Sequence, residues 1–100
     1  MRVFNGFDEL LKAYKELGVW WIFTKREFVN NSKEDISTGT FYVPENDEEE
    51  EESYDVLATW LETQTFEGII DNKLEHHPEA SRDDLIEAAI YYLEMDDFLD

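Results

Sequence analysis

The chain has 100 residues, which is one domain with one modest core. Its 42% hydrophobic and 15% aromatic content is too rich for a disordered acidic tail, and the absence of cysteine excludes disulfides and thiol chemistry. A net charge of -18 has the wrong sign for direct contact with nucleic acid or an anionic membrane, and no apolar run approaches the ~18 residues that would span a bilayer.

The first predicted element is a helix entered through Phe4-Asn5-Gly6-Phe7-Asp8. Asn5 is a suitable N-cap, and Asp8 then faces the positive helix end. Phe7, Leu10, Leu11, Tyr14 and Leu17 recur at helical spacing, and Gly18 supplies a left-handed stop. Val19 to Phe23 is a continuous apolar run rich in β-formers and reads as a strand buried on both faces, with Thr24 to Val29 as an extension or a second strand. Trp20 and Trp21 are adjacent and face opposite ways, one under the helices and the other partly exposed. Asn30 to Ser37 reads as a connection rich in turn residues. Thr38 to Val43 is the next strand, antiparallel to the first and closed by Pro44, with one of Phe41 and Tyr42 facing in and the other out. The paired strands need helices to cover them.

An acidic run follows, Glu45-Asn46-Asp47-Glu48-Glu49-Glu50-Glu51-Glu52-Ser53-Tyr54-Asp55. In a helix its glutamates would place like charges at i,i+4, so residues 45–53 are expected to form a solvated, mobile loop. Ser53 then caps a short helix carrying Tyr54, Leu57, Trp60 and Leu61. Phe66, Ile69, Ile70, Lys73, Leu74 and His77 define the next helix, stopped by Pro78. Ser81 and Asp84 form a capping box for the last helix, from Arg82 to about Met95. That helix is apolar over much of its circumference and is expected at the centre of the core. Asp96, Asp97 and Asp100 close the chain, where carboxylates oppose the helix dipole.

Catalytic chemistry finds little support. His76 and His77 are adjacent, so a helix points them in different directions, and the i,i+4 pair of a zinc helix is missing. Glu45 to Glu52 lacks the alternation and the glycine of a calcium loop. No metal, no cofactor and no enzyme activity is expected. The opening residues lack a basic segment followed by an apolar run, so no signal peptide is expected and the cytoplasm is the expected compartment.

The charge is unevenly placed. Through residue 44 the basic side chains Arg2, Lys12, Lys15, Lys25, Arg26 and Lys33 balance Asp8, Glu9, Glu16, Glu27, Glu34 and Asp35. The surplus lies after Pro44, where only Lys73 and Arg82 are basic. Solubility alone needs a net charge of about 2–8, so the excess points to a cationic partner. The residues expected to meet it are Glu45, Asp47, Glu48, Glu49, Glu50, Glu51, Glu52, Tyr54 and Asp55, with Tyr42, Asp96 and Asp97.

In layout the chain resembles the small acidic immunity proteins of bacterial contact-dependent growth inhibition and related polymorphic toxin systems. The features that carry the resemblance are the opening Phe4-Asn5-Gly6-Phe7-Asp8-Glu9-Leu10-Leu11, the run Trp20-Trp21-Ile22-Phe23, the strand Phe41-Tyr42-Val43-Pro44 leading into acid, and the ending from Asp83 to Leu99. The resemblance implies a cytoplasmic inhibitor that binds one cognate toxin, often a basic nuclease. The expectation is therefore an α+β domain over residues 1–100, with an N-terminal helix, a small antiparallel sheet and C-terminal helices packed on it. Its expected function is non-catalytic neutralisation of a basic toxin. The alternative is a nucleic-acid mimic that blocks another DNA- or RNA-binding protein.

Overall fold

A computed structural model describes residues 1–99; Asp100 lies outside them. The fold is α+β. Its elements are β1 (Arg2–Asn5), α1 (Phe7–Lys12), β2 (Trp21–Thr24), α2 (Lys33–Thr38), β3 (Thr40–Val43), α3 (Asp47–Val56), β4 (Ala58–Glu62), α4 (Thr63–His76) and α5 (Arg82–Met95). The strands form one antiparallel sheet in the order β1-β3-β2-β4.

That order fixes which face each connecting helix takes. Both β1 and β2 run antiparallel to β3, so β1 and β2 are parallel and α1 joins them across β3. In the same way β3 and β4 are parallel, and α3 joins them across β2. The two crossovers step the same way along the sheet from strands of opposite direction. A common handedness therefore requires opposite faces. The packing agrees: Phe7 and Leu10 of α1 enter the main core, whereas Tyr54 of α3 meets Phe23 on the other side of β2.

The core lies on one face of the sheet, beneath α1, α2, α4 and α5. Phe41, Val43, Ile22, Trp60 and Leu61 from the strands meet Phe7, Leu10, Ile36, Phe66, Ile69, Ile70, Leu85 and Ile86 from the helices. Trp60 is its hub, with ring centroids 5.1 Å from Phe41 and 5.7 Å from Phe66, and its indole N–H donates to the Asn30 carbonyl at 3.0 Å. A bulge opens the edge of the sheet here. Between the pairs Trp21–Glu62 and Phe23–Thr59, β4 carries one residue more than β2. The extra residue lets consecutive Trp60 and Leu61 both turn into the core.

Several local expectations are corrected. Asn5 ends β1 rather than capping a helix; Gly6 holds the cap position, and the Asn5 N–H donates to the Glu9 carboxylate at 2.7 Å. The first helix stops at Lys12, well short of Leu17, although Leu17 is still buried. Gly18 is left-handed as expected, with φ 83°. Residues 25–29 turn back rather than extend β2, and Phe28 packs on Phe41 at 5.6 Å. The connection before β3 contains α2, whose Ser32 hydroxyl accepts from the Asp35 N–H. The expected mobile loop over 45–53 is mostly helix, in α3, and Trp60 and Leu61 sit on a strand.

The back of the chain follows its signals closely. α5 occupies the expected range with both halves of the Ser81–Asp84 capping box formed, and α4 ends before Pro78 as expected but begins at Thr63, three residues ahead of Phe66. α5 is one-sided rather than central: Leu85, Ile86, Ala88 and Ala89 are buried, and Asp83, Asp84 and Glu87 face water. Arg82 joins α5 to its neighbours, pairing with Asp8 of α1 and donating to the Ser37 carbonyl of α2 at 2.9 Å.

Candidate functional site

The acidic run folds because its cap, its first turn and its sheet-facing side are each held by specific contacts, several of them from distant sequence. Asn46 accepts from the Glu49 N–H at 2.9 Å, and the Glu49 carboxylate accepts in return from the Glu45 N–H at 2.9 Å. Asp47, Glu48, Glu49 and Glu50 occupy the first turn, where the helix end is positive. The Met1 ammonium lies 3.0 Å from Glu45 and 2.8 Å from Glu49. This ammonium, and then the Glu45 N–H, hold the Glu49 carboxyl below its usual range. Glu50 turns to the sheet and accepts from the Trp21 N–H at 3.2 Å.

The second half of α3 is held from below and at its end. Ser53 is buried and donates its hydroxyl to the Glu49 carbonyl at 2.7 Å. Tyr54 lays an edge-to-face contact on Phe23. Desolvation, and then the nearby Glu50 and Glu62, push the Tyr54 hydroxyl pKa up. At the C-terminal end, the Arg26 guanidinium donates to the Asp55 carbonyl at 2.6 Å, placing a cation where the dipole is negative.

These contacts divide the carboxylates into two sets. Glu49 and Glu50 are half-buried and bonded; Glu45, Asp47, Glu48, Glu51, Glu52 and Asp55 are exposed. Glu48, Glu51, Glu52 and Asp55 follow i, i+3, i+4, i+7, the spacing of one helix face. With Tyr54 they line an open concavity of about 460 Å³. The spacing usual for a core-facing apolar stripe is here a stripe of acid directed at solvent.

Tyr42 lies on the same side of the sheet as α3. It pairs directly with Phe23 across β2 and β3, and it is half-buried where Phe41 is fully buried. Asp96 and Asp97 do not join this surface. They follow α5, on the core face of the sheet, with Asp96 left-handed at φ 56° and its N–H donating to the Tyr92 carbonyl. The Asp97 carboxylate accepts from the Phe98 N–H at 2.8 Å. The structure thus gathers Tyr42 and the acidic residues of α3 on one side and sets Asp96 and Asp97 on the other.

Sequence reasoning missed Val3, Trp21 and Phe23 as parts of the same surface. Alternation along β2 places Trp21 and Phe23 on the α3 side. The signal for β1 was masked by the helix signals, which begin at Phe4 and Asn5 within the strand itself. Elsewhere, His76 and His77 are both exposed beside an open concavity with Lys73, Glu79 and Asp84. Among the described residues no group of three His, Cys, Asp or Glu side chains is placed to hold a metal ion. Among them, too, no helix is long and apolar enough to cross a membrane.

A family model described as Domain of unknown function (DUF7716) matches residues 6–100. No curated protein and no solved structure matches the chain.

Proposed function

The chain belongs to the DUF7716 family, whose description names no activity, and from that premise we propose that it is a non-catalytic inhibitor that neutralises a basic protein toxin, of nuclease type, in the cytoplasm. One observation carries the reading: Glu48, Glu51, Glu52 and Asp55 form a single solvent-facing stripe on a capped and anchored helix. A groove that binds phosphates keeps cations at short, regular intervals. A helix presents carboxylates at a rise of about 1.5 Å per residue, so this stripe spans roughly 10 Å with its backbone already ordered before binding. Opposite potentials speed encounter toward about 10⁸–10⁹ M⁻¹s⁻¹ at low salt, which suits capture before damage is done.

The test is co-expression with any basic, nuclease-type toxin that proves to be encoded beside this chain's gene. Wild type should protect the cell and co-purify with the toxin. The variant E48Q/E51Q/E52Q/D55N should associate more slowly, with a flatter dependence on salt. Unchanged protection and unchanged association by this variant would sink the reading.

A further inference from the structure

A row of directly paired residues crosses the sheet on the α3 side: Val3 on β1, Tyr42 on β3, Phe23 on β2 and Thr59 on β4. Opposed residues on antiparallel neighbours point to one face. The row runs from cover into solvent. Phe23 is fully buried, with Tyr54 lying on it, whereas Tyr42 is half-buried and Val3 is 49% exposed. Tyr54 itself is 49% exposed. The β1–β3 half of this sheet face is therefore an apolar, aromatic step beside the helix. Carboxylates border it: Glu45 and Glu49 reach the Met1 ammonium at the head of β1, and the acidic stripe follows along α3.

We propose that this step, centred on Tyr42, is the anchor of the partner interface and that the partner places arginine on it. The inference rests on the cationic-partner reading above and adds the chemistry of the contact. A guanidinium is planar and weakly hydrated, so it lies on an aromatic face while its fork reaches a neighbouring carboxylate. A lysine ammonium holds its water and gains less from the ring. A second copy of this chain is a poor occupant, because each copy carries -18 and the two repel. The division of labour follows: the stripe on α3 steers approach, and the desolvated ring at Tyr42 slows release.

The experiment uses oligo-arginine and oligo-lysine peptides of equal length, titrated into the protein at low salt and followed by NMR. The expected result is oligo-arginine binding about two- to fivefold tighter, the ratio an exposed cation–π contact supplies, with shifts at Val3, Tyr42 and Tyr54. Tyr42→Phe keeps that preference. Tyr42→Leu removes it by weakening oligo-arginine more than oligo-lysine, with circular dichroism verifying the fold of each variant. Equal affinity for the two peptides, or a preference that survives Tyr42→Leu, overturns the proposal and leaves the cationic-partner reading standing. Failure of both peptides to bind overturns the two together.

Discussion

Tyr54 of α3 sets its ring against Phe23 of β2 with centroids 5.2 Å apart and planes at 78°. This is the aromatic contact that fastens the acidic helix to the sheet, and it lies on the opposite face from the main core. Phe23→Ala should cost about 3–5 kcal/mol and Tyr54→Ala, from its half-exposed position, about 1–2 kcal/mol. A double-mutant cycle by urea denaturation should return about 0.5–1.5 kcal/mol of coupling between them. Additive losses would mean that α3 is held by its hydrogen bonds instead.

Gly39 is fixed by space rather than by backbone conformation. Its φ of -69° suits any residue, but an added Cβ would lie 2.5 Å from the Asp35 carbonyl oxygen and 2.7 Å from the Phe28 ring. Gly39→Ala should therefore destabilise by about 1–3 kcal/mol through displacement of Phe28, visible as lost near-ultraviolet dichroism. At Gly18 both limits apply, since its φ is +83° and an added Cβ would lie 2.9 Å from the Trp20 indole nitrogen. Gly18→Ala should therefore cost about 1–3 kcal/mol, with the Trp20 ring displaced.

The cap of α5 predicts a pH dependence. The Ser81 N–H donates to Asp84 at 3.0 Å, and the Asp84 N–H donates to the Ser81 hydroxyl at 3.1 Å. Hydrogen bonding from the Ser81 backbone, and then from its side chain, holds the Asp84 carboxyl below its ordinary 3.8. A depressed carboxyl contributes stability above its unfolded value and loses it as pH falls through the folded one. The gap in Tm between wild type and Asp84→Ala should be level from about pH 5 to 8 and should close below about pH 4. Ser81→Ala should cost about 1 kcal/mol at neutral pH.

The stripe on α3 is a strain as well as a surface. Glu48 with Glu52, and Glu51 with Asp55, stand at i,i+4 as like charges. Glu52→Gln should raise Tm by about 2–4 °C in dilute buffer. The gain should vanish near 1 M salt, where screening reaches about 3 Å. A gain that persists at high salt would place its origin outside electrostatics.

The sequence was legible where local and tertiary preferences agreed. In α4 and α5 the apolar spacing, the Pro78 stop and the Ser81–Asp84 box all point one way, and both helices form as expected. The β2–β3 pairing was readable from two β-rich runs around a polar connection. The glutamate run was misread because i,i+4 repulsion was weighed without its compensations. Asn46 at the cap is local, but the Met1 ammonium, the Trp21 N–H and Phe23 come from distant sequence. Trp60 and Leu61 were misread for a different reason. Adjacent inward residues suggest a helix, and only the bulge reconciles them with a strand. Of the surface, the acid and Tyr42 were visible in advance. Val3 and Phe23 became part of it only through register.

The strand order also governs how the chain comes together in time. Among the described strands, β2 and β3 alone are both consecutive in sequence and neighbours in the sheet, so they are the pair expected to form first, which strand-by-strand hydrogen-exchange labelling during refolding would check. β1 and β4 add later at its two margins, each from far along the chain and each through a helix. Until they arrive, both edges of the young sheet stand open to strands from other full-length copies that are refolding. The surplus of negative charge keeps those copies apart during that interval, so the acid that marks the mature surface also guards the unfinished one.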